Sequence, residues 1–227
     1  MSASKLIAGV ISNIAIFGVL LFLPAGTLNW WHGWIFLSVA AVGTVVSTVS
    51  IYRVNKAVLA ERFKPPLQKG QPLVDKIIVT LLITELVGLI VFIPLDVFRF
   101  HFMRPPGPLA SLLGLVLFIA GWWIITLTLR ENAFAAPVVK HLAEKHQKVI
   151  DTGVYSVVRH PMYAGIAPLL IGMALWLQSF TAALLAIAPI ITLAVRIVFE
   201  EEFLRRKLKG YKEYTRRVRY RLIPFIW

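Results

Sequence analysis

The chain has 227 residues, 58% of them hydrophobic and 15% charged, with a formal net charge of +13 and no cysteine. Long apolar runs at this composition place it among polytopic membrane proteins and exclude a soluble domain, and the absence of cysteine excludes a disulfide framework, a thiolate metal site and a cysteine nucleophile. The positive charge lies between the apolar runs and in the C-terminal tail, which is a topology pattern rather than a nucleic-acid footprint, so nucleic acid is not an expected partner.

A first apolar run, from about Leu6 to Leu23, ends at Pro24, Gly26 and Asn29 and is long enough to cross a bilayer. More apolar runs follow it, so it reads as a retained span rather than a cleaved leader. Trp30, Trp31 and Trp34 gather where the chain turns back, at the headgroup level that indole rings favour, and His32 among them reads as interfacial. The second run, from about Trp34 to Ile51, leads into Tyr52 and Arg53. From Arg53 to Lys76 the chain is polar and basic, with a turn at Pro65-Pro66 and one short helix before it. The third span, from about Ile77 to Leu95, contains Glu85, an acid inside an apolar run that is expected to face the bundle interior or to be protonated. A neighbouring side-chain donor and a ligand are both open as its partner. A short proline-rich connection from Asp96 to Pro108 precedes a fourth span, Leu109 to Leu129. On it Gly114 and Gly121, seven residues apart, share a face that admits a closely packed neighbour, although ordinary glycine usage accounts for them equally well.

Arg130 to Ile150 forms a second polar loop. Its HLAEKHQK stretch, beginning at His141, is compatible with a helix, and the spacing of five between His141 and His146 is poor for a metal, so no metal is expected. The last apolar region is a hairpin, with one arm from about Met162 to Leu177, a turn at Gln178 and Ser179, and a second arm from about Thr181 to Phe199. Pro168 and Pro189 predict a bend in each arm. The tail from Glu200 to Trp227 mixes nine Lys or Arg residues with aromatics, which suits the headgroup region. The whole reads as an all-α polytopic integral membrane protein of about six spans, four plus a C-terminal hairpin, with an amphipathic tail. If the N-terminus is inside, the inner segments hold Lys5, six basic residues from Arg53 to Lys76, five from Arg130 to Arg159 and nine in the tail, against Arg99 and Arg104 outside. This asymmetry predicts that both termini and the tail are cytoplasmic.

Two polar clusters flank the hairpin. The first lies in GVYSVVRHPMYAG, residues 153 to 165, where Pro161 suits the first turn of a helix, so that His160 stands at the helix entrance and Tyr163 one turn along. Free backbone N–H groups there would attract an anionic group, and Tyr155 and Tyr163 offer ring faces and hydroxyls to a nucleoside. In the second cluster Arg196 and Glu200 are four residues apart and share a helix face, where they can bond to each other. Taken singly, Arg159-His160 reads as a membrane-edge anchor and Glu200, Glu201 and Glu202 as a solvated helix face. Placed at both ends of one hairpin, the clusters point to a shared polar site that binds a cofactor.

GVYSVVRHPMYAG, the hairpin, RIVFEEEFL, YKEYTRRV and the terminal RLIP together resemble the C-terminal half of the isoprenylcysteine carboxyl methyltransferase family, whose relatives include phospholipid N-methyltransferases. The likeness covers roughly Lys140 to Trp227; it is specific for the superfamily and weak for substrate. It implies a helical membrane enzyme that uses S-adenosylmethionine to methylate a carboxylate or other polar head of a lipidic or prenylated acceptor. It also implies a division into N-terminal helices, 1–130, on the acceptor side and a cofactor-binding region, 131–227. By the same resemblance Gln147, Lys148, Val149, Ile150 and Tyr155 line the cofactor, His160, Pro161, Met162 and Tyr163 form the next wall, Glu200 binds the cofactor from the far arm, and Arg196 is the catalytic residue that holds the acceptor. Two departures stand out. Lys140 occupies a place where relatives can offer a neutral amide, and LKGYKEY is one residue shorter than the family's FGxxYxxY spacing, which shifts the tail register after Leu208.

Transfer of a methyl group to a carboxylate demands positioning rather than proton removal, whereas an amine acceptor must lose a proton with help from Glu200 or His160. Two other readings compete. Membrane sterol and steroid reductases, which use NADPH, carry a related RHxxYxG element, but Glu200 and Glu201 would repel a polyanionic cofactor. A non-enzymatic scaffold or transport protein would show no saturable cofactor binding.

Overall fold

The computed structural model describes residues 3–62, 64–68, 70–135 and 148–227, and all regular structure among them is helical. Lys140 and the HLAEKHQK stretch up to and including Gln147 lie outside the described residues. Each apolar run of the sequence becomes a helix: α1 (Ala3–Ala25), α2 (Trp31–Val54), α4 (Leu73–Leu95) and α5 (Pro108–Glu131). The short helix expected before Pro65 is α3 (Lys56–Arg62), and α4 runs on into one π-helical turn, Asp96–Phe100. With the stretch Phe180–Lys207, five described segments are long and apolar enough to cross a membrane. The first hairpin arm, α6 (Pro161–Trp176), is the short one of the six, at 16 residues. At about 1.5 Å per residue it falls short of a hydrocarbon core roughly 30 Å thick.

The hairpin follows its prolines unequally. Pro161 opens α6, where its fixed φ and missing N–H cost nothing, while Pro168 leaves α6 uninterrupted. Gln178 turns the chain at a φ of 74°, and Ser179 caps α7 (Phe180–Leu185) by accepting from the Ala182 N–H. The second arm breaks at Ala186 and resumes as α8 (Ile187–Lys207). Pro189 stands three residues past that break, because its nitrogen has no proton to donate to the preceding turn.

The arms are held by the tightest helix pair in the molecule, α5 against α6. Added to Gly121, a Cβ would lie 2.4 Å from the Gly165 carbonyl oxygen; added to Gly172, it would lie 2.4 Å from that of Gly114. The two glycine pairs are spaced alike on antiparallel helices, so the backbones touch along a seam that any side chain would prise open. Of the two readings left for Gly114 and Gly121, close packing is the one observed. Gly165, the last residue of the RHPMYAG motif, is thereby a packing residue.

Side-chain contacts sort the connections into two ends. At one, the Trp176 indole N–H donates to the His32 carbonyl at 2.9 Å, and the Ser179 hydroxyl to Asp96 at 2.5 Å, joining the short turns. At the other, the Asn132 amide donates to the Tyr155 hydroxyl at 2.9 Å, and the Tyr214 hydroxyl to the Tyr155 carbonyl at 2.8 Å, joining the long polar segments to the tail. Between the ends Glu85 faces α8 and accepts from the Thr192 hydroxyl at 3.0 Å, so the donor expected of its two possible partners is present. Exposed Ile16, Val45, Leu81, Val116 and Ile191 clothe the outside in apolar side chains, as lipid contact requires.

Candidate functional site

The polar end is assembled around the first turn of α6. The tail returns to it through main-chain bonds: the Arg159 N–H donates to the Tyr220 carbonyl and the His160 N–H to the Arg221 carbonyl, each at 2.9 Å. These amides, expected to be free for an anion, are thus occupied by the chain's own C-terminal segment. The His160 ring stacks on that of Tyr163 with centroids 5.6 Å apart and planes 5° from parallel.

Along α8 the three consecutive acids point three ways, since each residue turns the helix by about 100°. Glu202 is exposed and paired with Arg206. Glu201 is buried and collects Arg159 Nε at 2.6 Å, His160 Nε2 at 3.3 Å and Arg221 Nε at 3.2 Å, with Arg205 at 3.5 Å. Arg159 also donates to the carbonyls of Val218 and Arg219, both at 2.8 Å, so it is an internal strut and not a membrane-edge anchor. Glu200 turns the other way and accepts the Tyr163 hydroxyl at 2.7 Å.

Around that bond lies a cavity with about 110 Å³ available to the centres of water-sized molecules. Its walls include Lys148, Val149, Ile150, Tyr155, His160, Pro161, Met162, Tyr163 and Glu200, nine residues whose joint role was expected from the sequence. Sequence reasoning missed the remaining wall: Asn132 and Phe134 after α5, Phe203 and Leu204 on α8, and Tyr211 and Tyr214 on α9 (Tyr211–Arg217). Gly210, at a φ of 85°, turns the chain into α9 and swings both tyrosines onto the cavity despite the shortened spacing. Burial pushes the Tyr155 hydroxyl up to about 12, against the opposing bond from Asn132, and also raises those of Tyr211 and Tyr214. The Tyr211 hydroxyl is buried with no hydrogen-bond partner.

Arg196 does not line this cavity. Its guanidinium carbon lies 5.9 Å from the centre of the Tyr163 ring, and its Nε donates to Asp75 of α4 at 3.2 Å rather than to Glu200. Gln71 donates to the other Asp75 oxygen at 2.6 Å. The usable signal for Asp75 was an acid in the first turn of a span that follows a basic loop.

Comparison with known proteins bears on this region. Residues 109–210 match the family model described as phospholipid methyltransferase. The chain is also similar to protein-S-isoprenylcysteine O-methyltransferase B of Arabidopsis thaliana, at 32% identity over 83 residues, a match that covers 36% of this chain and only 42% of that protein. The matched segment begins in α5, upstream of the expected boundary near residue 130, and carries the hairpin, the RHPMYAG motif and the α8 acids. The second half of this chain is therefore similar to the superfamily that joins isoprenylcysteine carboxyl methyltransferases and phospholipid methyltransferases.

Proposed function

We propose that the protein is an S-adenosylmethionine-dependent membrane methyltransferase acting on a carboxylate or other polar head of a lipidic acceptor. The observation that carries this reading is the convergence of residues 148–150, the RHPMY turn and Glu200 on one cavity, within a region similar to methyltransferases. The cavity's chemistry fits the cofactor. Glu200 presents a carboxylate that suits a ribose hydroxyl or a nearby cation, the unpartnered Tyr211 hydroxyl needs a polar neighbour, and Tyr155 and Tyr214 add aromatic surface.

Bound there, S-adenosylmethionine supplies an electrophilic methyl group on a sulfonium. Lys148, Val149 and Ile150 hold one flank with Tyr155; His160, Pro161, Met162 and Tyr163 form the next; Glu200 closes the α8 side. Arg196, across the Tyr163 ring, holds the acceptor head. Asp75, itself held by Gln71, fixes the guanidinium and partly offsets its charge, which orients the acceptor without over-stabilising an anionic nucleophile. The helices of residues 1–130 supply the acceptor's apolar surroundings, and the excess of basic residues in the loops supports a cytoplasmic site.

The test is incubation of the purified full chain with radiolabelled methyl donor and a host membrane extract, followed by identification of the labelled product, alongside S-adenosylhomocysteine binding. Arg196→Ala is expected to lower turnover while sparing cofactor affinity; Glu200→Ala and His160→Ala are expected to weaken that affinity about tenfold or more, the worth of one charge-assisted contact. Unchanged affinity in both of the latter variants refutes the site. Thermal stabilisation by NADPH in place of S-adenosylhomocysteine would decide for the reductase reading.

A further inference from the structure

Arg62, the last residue of α3, sits against the α6 first turn at Met162. Its one hydrogen bond among the described residues runs from a guanidinium nitrogen to the Met162 sulfur, and its Nε is buried with no partner. Tyr163, Tyr155, Arg196 and Glu200 lie within its electrostatic reach. The carboxylates of this region are engaged elsewhere: Glu200 with Tyr163 at 2.7 Å, and Asp75 with Arg196 at 3.2 Å and Gln71 at 2.6 Å. Neither forms an ion pair with Arg62. Burial accordingly lowers the Arg62 pKa below its ordinary value, with Arg196 pulling the same way, yet a guanidinium remains charged at neutral pH. A half-buried cation with its Nε enclosed and unpartnered, facing a thioether and with a second cation nearby, is an unfavourable arrangement that an incoming anion relieves.

The geometry points to Arg62 as an anion-binding residue of the acceptor site: together with Arg196, from the neighbouring side of the α6 first turn, it takes the carboxylate or phosphate of an amphiphile. Met162, against Arg62, and Tyr163, under Arg196, are adjacent in sequence, so the two guanidiniums stand on neighbouring faces of the same helical turn, near enough for each charge to act on the other. Ile77 and Leu81 on α4 and Val195 and Val198 on α8, close in sequence to Asp75 and Arg196, are exposed apolar residues that face the surrounding lipid, where the chain of such a ligand would lie. The inference rests on the acceptor role proposed above for Arg196 and adds the ligand's charge and a second residue that reads it.

The experiment uses the full chain in a neutral maltoside detergent with three probes of equal chain length: dodecanoate, dodecyl phosphate and dodecyltrimethylammonium. At least one anionic probe is expected to bind and the cationic one to fail; a preference for dodecanoate identifies a carboxylate head and a preference for dodecyl phosphate a phosphate head. Arg62→Met is expected to weaken anion binding about tenfold or more, with Arg62→Lys intermediate, while S-adenosylhomocysteine affinity stays at the wild-type level. Without ligand, Arg62→Met is expected to melt no lower than wild type, because it removes an uncompensated buried charge; a purely structural arginine would give the opposite shift. Wild-type affinity for both anionic probes in Arg62→Met, equal binding of the trimethylammonium probe, or a lowered melting temperature of the ligand-free variant would each overturn the proposal. If S-adenosylhomocysteine fails to bind wild type while Arg62-dependent anion binding persists, the methyltransferase reading falls and the anion site stands.

Discussion

Glu200 and Glu201 are consecutive, yet one faces the cavity and the other is enclosed by cations, so truncating them has different consequences. Glu201→Ala leaves the Arg159 guanidinium buried without its carboxylate and is expected to cost roughly 3–5 kcal/mol. Glu202→Ala, at an exposed ion pair, is expected to change stability by less than about 1 kcal/mol, and denaturation in detergent compares the two. Tyr155 makes a second residue-scale prediction. Its folded-state pKa of about 12 lies above that of an exposed tyrosine, so the folded chain keeps the proton longer than the unfolded one. The associated stability is complete below pH ~10 and is lost as pH rises toward ~12. Tyr155→Phe is expected to remove that share of the alkaline loss, read from melting temperatures across the interval. Of these roles only that of Glu200 was accessible from sequence, through its motif. The burial of Glu201 was not, because an acidic triplet next to a basic tail has the same letters whether solvated or enclosed.

At the scale of elements, the seam between α5 and α6 holds the motif in place. Gly121→Ala or Gly165→Ala drives a methyl group into the opposing backbone and is expected to destabilise by about 1–3 kcal/mol or more, since backbone cannot rotate away. Gly88→Ala is the control: no atom lies within 4 Å of its added Cβ, and it is expected to be neutral or stabilising by up to ~1 kcal/mol through helix propensity. Thermal unfolding of the three variants is the measurement. The spans were legible because uninterrupted apolar runs permit little else in lipid, and the seven-residue glycine spacing on α5 hinted at the seam. The pairing of Asp75 with Arg196 was illegible. It joins positions 121 residues apart, and local periodicity carries no trace of which helices become neighbours.

Among the described residues, the cavity and the Glu201 ion pairs gather at the end that holds the long polar segments, and short turns and tryptophans meet at the opposite end. A reporter fused after Trp227 is expected to be active only inside the cell, and activity outside would reverse the orientation drawn from the basic residues. That expectation rests on a count of basic residues in the sequence, whereas the return of the tail to the RHPMY turn could not be read there, because its main-chain bonds and the ion pair of Arg221 with Glu201 join positions far apart in the chain. Those two bonds, from Arg159 and His160 to Tyr220 and Arg221, have a practical consequence. Side-chain changes in the strap leave these two bonds in place, but trypsin cutting after exposed Arg217 or Arg219 severs it from α9. In a limited digest, ligand affinity should then decay in step with that single nick while every membrane span stays intact.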